Sequence, residues 1–100
     1  MNMQQSKRQN ITSKDLYALL EKQSYRCALS GRELTPEITG AEHIVPLDAG
    51  GGHTAENIYL IVRDAARLKR HLSERDLLDL CFDILNHRGK HHGYHATRIP

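Results

Sequence analysis

At 100 residues the chain amounts to one small domain with a core of modest size. No run approaches the roughly 20 apolar residues of a membrane-spanning helix. Met1 to Asn10 lacks the apolar segment of a secretory signal, and the two cysteines, Cys27 and Cys81, form no C-x-x-C pair, which argues against a disulfide framework or a cysteine-held zinc. A cytoplasmic, reducing setting with no membrane partner is the resulting expectation.

Residues 1–11 are polar and aperiodic and are expected to be a disordered tail. Thr12-Ser13-Lys14-Asp15 has the form of a capping box. It opens a short amphipathic helix with Leu16, Leu19, Leu20 and Gln23 on one face, ending near Gln23. Tyr25 to Leu29 reads as a strand with Cys27 in the core, and Ser30-Gly31 as a turn. Thr35-Pro36 and Thr39-Gly40 break the next stretch. Glu42 to Leu47 reads as a short strand broken by Pro46, and Asp48 to Gly52 as a loop. Ile58 to Val62, apolar and β-branched, is a second strand. Arg63 to about Leu72, rich in Ala, Arg, Leu and Lys, is a helix. Ser73-Glu74-Arg75-Asp76 repeats the capping signal before a helix whose broad apolar face holds Leu77, Leu78, Leu80, Cys81, Ile84 and Leu85. His87 to Pro100 reads as a polar tail. The domain is expected over 12–86, with a basic, His-rich tail over 87–100.

The net charge is only +2, but it is unevenly placed. Residues 1–14 carry Lys7, Arg8 and Lys14 and no acid. Residues 84–100 carry Arg88, Lys90 and Arg98 with His87, His91, His92 and His95, again without acid. Arg63, Arg67, Lys69 and Arg70 surround the single Asp64. Such an arrangement suits a polyanion, because phosphate neutralisation supplies most non-specific nucleic-acid affinity; solvated tails and a solvated helix face are the plainer account. The tail histidines are better suited to a flexible basic arm than to a metal site, since Gly89 and Gly93 interrupt the helical spacing of His91 and His95.

Most of the chemistry lies between Ala41 and Asn57. Glu42 and His43 sit side by side on a short apolar run, a Gly-rich turn follows, and Asn57 opens the next apolar run. A carboxylate to hold a cation beside an imidazole to activate water is what a metal-dependent phosphodiester hydrolase requires. Taken alone, His43 would read as a core histidine, His53 as a loop-bracing residue and Asn57 as a turn cap.

In combination, Glu42-His43-Ile44-Val45-Pro46-Leu47, Gly51-Gly52-His53-Thr54-Ala55-Glu56-Asn57-Ile58 and Arg67-Leu68-Lys69 resemble the HNH endonuclease family, over roughly Tyr25 to Leu72. The resemblance implies an α+β fold: a small ββα-metal (His-Me finger) core over about 41–72, flanked by N- and C-terminal helices. It implies that His43 is the general base, that Glu42 holds Mg²⁺, Mn²⁺ or another divalent cation, and that Asn57 braces the loop carrying the base. It implies DNA as the partner, with Arg63, Arg67, Lys69 and Arg70 as candidate phosphate contacts. One such site cuts one strand, so double-strand cleavage would take a homodimer or two events.

Two positions depart from the family pattern. The paired cysteines that hold a structural zinc in many members are missing. The third motif position, about nine residues after Asn57, should bring a His or Asn ligand from the helix, and Ala66 stands there. A methyl group cannot ligate a cation. Arg70 is itself a cation, and His71 is out of phase with position 66 by about 140°. Ala66 is therefore either an engineered inactivating change or a natural departure. Beside the endonuclease stand a non-catalytic nucleic-acid-binding or regulatory module on a degenerate HNH fold, and a protein-interaction module that uses the C-terminal helix.

Overall fold

The computed structural model describes residues 11–100; the tail expected over 1–11 lies, apart from Ile11, outside the described residues. The described chain is a small α+β domain of three helices and one two-stranded antiparallel sheet. Its elements are α1 (Ser13–Lys22), β1 (Thr39–His43), β2 (Ile58–Val62), α2 (Arg63–Lys69) and α3 (Glu74–His87), joined by short 3₁₀ turns. Among the described residues no helix is long and apolar enough to cross a membrane.

Local signals set the helix starts. The Thr12 hydroxyl accepts the Asp15 N–H at 3.2 Å, and the Asp15 carboxylate accepts the Thr12 N–H at 3.0 Å, a complete capping box. The Ser73 hydroxyl accepts the Asp76 N–H at 3.0 Å to open α3. Helix α2 needs no cap of this kind: it follows Val62 of β2 directly.

The sheet forms the centre of the domain. Register runs from Thr39 opposite Val62 to His43 opposite Ile58. All five residues of β2 are buried, as expected of a strand covered on both faces. Gly40, Glu42, Tyr59 and Ile61 share the face toward α2, and Thr39, Ala41 and Leu60 line a groove with Leu16, Tyr17 and Leu20 of α1. The outer edge of β2 is covered too. Gln23, expected on an apolar helix face, instead uses its amide to pair with the Leu60 backbone, donating to the carbonyl at 2.8 Å and accepting the N–H at 3.0 Å. Ala28 N–H donates to the same carbonyl, and the Cys27 sulfur accepts the Val62 N–H. These contacts cover the ladder edge at Leu60 and Val62.

Four sequence-based boundaries change. Tyr25–Leu29 is not a strand: Ser24 and Tyr25 take left-handed backbone conformations, and the loop closes on itself with the single bridge Arg26 to Glu33. Strand β1 begins earlier and ends earlier than Glu42–Leu47. Gly40 lies inside it rather than breaking it, because the missing side chain lets α2 approach; a Cβ there would lie 3.2 Å from the Ala66 methyl. Past His43 the backbone leaves the ladder, and Val45 N–H goes to the Asn57 side chain. Helix α2 stops at Lys69, where Arg70 turns out of helical geometry (φ 37°).

The fourth change concerns the tail. Rather than a flexible arm, residues 94–98 return along α3. Ala96 N–H donates to the Asn86 side-chain carbonyl at 2.9 Å. The Arg98 guanidinium lies 3.6 Å from the Asp79 carboxylate and 4.4 Å above the Phe82 ring.

Candidate functional site

At the C-terminal end of β1 the chain opens a pocket of about 340 Å³, lined by Glu42, His43, Leu47, Asp48, Arg70 and His71. Neighbouring strand residues face opposite ways. Glu42 and His43 nevertheless share this pocket because His43 ends the ladder and the chain turns there. Pro46 and the 3₁₀ turn Leu47–Ala49 bring Asp48 back to the rim, where its carboxylate lies 3.9 Å from His71 Nδ1.

The turn is held by one side chain. Asn57 Oδ1 accepts the Val45 N–H at 2.9 Å, and Asn57 Nδ2 donates to the carbonyls of Val45 at 2.9 Å and Gly52 at 2.8 Å. Both amide protons are used, so this residue ties the segment after His43 to the Gly-rich loop. The loop requires glycine at position 51, since a Cβ there would fall 1.9 Å from the Val45 carbonyl oxygen. Next to that loop, His53 Nδ1 lies 2.9 Å from His43 Nε2, with the two rings tilted at 58°.

A second clamp comes from α2. Lys69 is fully buried, and its ammonium donates to the carbonyls of His43 (2.9 Å), Ile44 (3.2 Å) and Leu72 (3.1 Å). All three protons of the ammonium are thereby committed. Lys69 is thus no phosphate contact, contrary to expectation; it secures the backbone that carries His43.

The four basic residues do not form one surface. Arg63 lines a separate recess with Arg32 and Glu37, and Arg67 lies 3.3 Å from Asp64 on an exposed face. Arg70 alone lines the pocket with Glu42 and His43, and among the described residues it has no carboxylate partner within 4 Å. Ala66 is buried, with its methyl against Gly40, and is not part of the pocket lining. A comparison of the sequence with protein-family models and with curated proteins finds no match.

Asp48, His53 and His71 are the site residues the sequence did not single out together. Asp48 reads in the sequence only as loop, although its place just after the strand-breaking Pro46 is the local signal for a reversal toward His43. Oxygen donors in the pocket come from Glu42 and Asp48. Among the described residues no three His, Cys, Asp or Glu side chains are grouped so as to hold a metal ion.

Behind the pocket, Tyr59 stands opposite Glu42 in the ladder, and its hydroxyl donates to the Glu74 carboxylate at 3.1 Å. Burial, and then the negative charges of Glu74 and Glu42, push the phenol well above its ordinary pKa. Tyr59 is therefore a neutral donor throughout the physiological range.

Proposed function

We propose that the chain is an HNH-type endonuclease domain, with β1, β2 and α2 as its ββα-metal unit, that hydrolyses phosphodiester bonds in DNA. The observation that carries this reading is the Asn57 side chain. Its three hydrogen bonds brace the turn that follows Glu42-His43, which is the work the resemblance assigns to that residue.

The remaining roles follow from chemistry. His43 takes a proton from the attacking water. Glu42 and Asp48 offer hard oxygens on one pocket, and this set suits Mg²⁺ or Mn²⁺, ions that bind through one or two carboxylates together with substrate oxygens and water. When bound, the cation neutralises charge on the scissile phosphate and the leaving oxygen. Arg70 brings its guanidinium to the pocket one helical turn beyond Ala66, which fits a phosphate oxygen. DNA is the proposed partner, and a homodimer is one route to cutting both strands.

A second reading, a non-catalytic nucleic-acid-binding module, is favoured by a specific observation: α2 supplies no ligand at position 66, whose methyl is packed on Gly40. Incubation with supercoiled plasmid and Mg²⁺ or Mn²⁺ separates the two. Nicking by the wild type, abolished by His43→Ala and raised by Ala66→Asn, is expected. No nicking by the wild type or Ala66→Asn, beside DNA binding that weakens with salt, would establish the second reading. Failure to bind DNA even at low salt would point instead to a protein-interaction module using α3.

A further inference from the structure

We infer that His53 is a positioning residue for His43, holding its imidazole in the one tautomer that can act as a base. The inference rests on the endonuclease reading for its consequence, but not for its geometry. His43 Nε2 and His53 Nδ1 are 2.9 Å apart, so one nitrogen carries the proton and the other accepts it. Only one arrangement leaves His43 competent. When Nε2–H of His43 donates to His53, the lone pair of His43 lies on Nδ1, free to take a proton from water. The reverse arrangement puts the His43 proton on Nδ1 and leaves no lone pair for the reaction. His53 as acceptor thus does for His43 what a carboxylate does for the base in a hydrolase triad.

Two constraints of the fold place this acceptor. Asn57 Nδ2 binds the carbonyl of Gly52, the residue directly before His53, and the same nitrogen binds Val45, two residues after His43. One amide therefore fixes the backbone beside both histidines. Gly51 allows the close approach, since any side chain there would strike the Val45 carbonyl. As the proton arrives at Nδ1, His43 becomes an imidazolium whose Nε2–H bond to a neutral imidazole is charge-assisted, which favours the transfer.

Two-bond ¹H–¹⁵N correlation spectra of the imidazole side chains test this at one fixed alkaline pH. His43→Ala and His53→Ala spectra provide the assignments. In the wild type, His43 should show a protonated Nε2 and a bare Nδ1. In His53→Ala the two shifts should move toward each other as the tautomers mix, and His53→Gln, whose carbonyl can accept the same proton, should restore them. If plasmid nicking is present, His53→Ala should lower kcat about tenfold with KM unchanged, and His53→Gln should recover most of it. His43 shifts identical in the wild type and His53→Ala would overturn the inference, whether or not the protein cuts DNA. Mixed tautomers in His53→Ala without nicking by the wild type or by Ala66→Asn would uphold the pairing and sink the endonuclease reading alone.

Discussion

A lysine with no exposed surface is costly unless every proton of its ammonium is satisfied. Lys69 meets that condition with three carbonyl oxygens, two of them on consecutive residues at the end of β1. Replacement by Met keeps the length of the stem but strands those carbonyls. Lys69→Met should cost about 3 kcal/mol, read as a lower urea midpoint at unchanged slope. Tyr59 supplies a second prediction, of opposite chemistry. Its phenol has an ordinary pKa of 10.0 and is raised in the folded state, so the unfolded chain loses that proton first. The stabilisation is complete below pH 10 and falls as pH rises above it, by up to about 1.4 kcal/mol per pH unit. Tyr59→Phe should flatten this decline between pH 10 and pH 12 in urea titrations, while at pH 7 it loses about 1 kcal/mol with the Glu74 hydrogen bond.

The loop between β1 and β2 is where local conformation decides the site. Gly51→Ala would drive a methyl toward a backbone oxygen, which cannot swing aside as a side chain can. The loop must then part from Asn57. If the chain nicks plasmid DNA as proposed, nicking should fall at least tenfold while the melting temperature changes by only a few degrees, because the loop lies outside the buried core; unchanged cleavage would show that the loop is not needed in this form. The same loop shows what a sequence can reveal. The capping signals at Thr12 and Ser73 and the β2 run Ile58–Val62 were legible, because each is written within a few consecutive residues. Glu42, His43 and Asn57 were legible as a set through their order and spacing. The return of Asp48, the meeting of His53 with His43 and the left-handed turn at Ser24-Tyr25 depend on backbone angles that several residue types could adopt. The burial of Lys69 is hidden in the sequence for a related reason. Arg67-Leu68-Lys69 has the composition of a surface helix, and nothing local reveals that position 69 faces the strand end.

Over the whole molecule, stability is spread unevenly. The described core gathers Cys27, Leu34, β2 and Ala66 between α1 and α2, whereas α3 extends to one side and leaves Leu78 and Ile84 about half exposed. The returning tail thickens this outlying helix. Arg98 is the contact to test: its guanidinium touches both Asp79 and the Phe82 ring. Arg98→Ala should cost about 1 kcal/mol, a drop of roughly 4–8 °C in melting temperature for a domain of this size, and the loss should shrink in Arg98→Lys, which keeps the charge but not the planar stack. An unaltered melting temperature would mean that Arg98 makes no stabilising contact in solution.

The buried ammonium of Lys69 also bears on motion. Because one side chain holds the end of β1 to Leu72, the strand that carries His43 and the corner before α3 must shift together as a rigid wall. Freedom to open is then confined to the opposite rim, where Asp48 to Gly50 lie on exposed loop. If DNA is the partner, as proposed, a duplex would be admitted by displacement of that rim alone, so amide exchange should be slow at His43 and Ile44 and faster from Asp48 to Gly50, with the difference narrowing once a polyanion is bound.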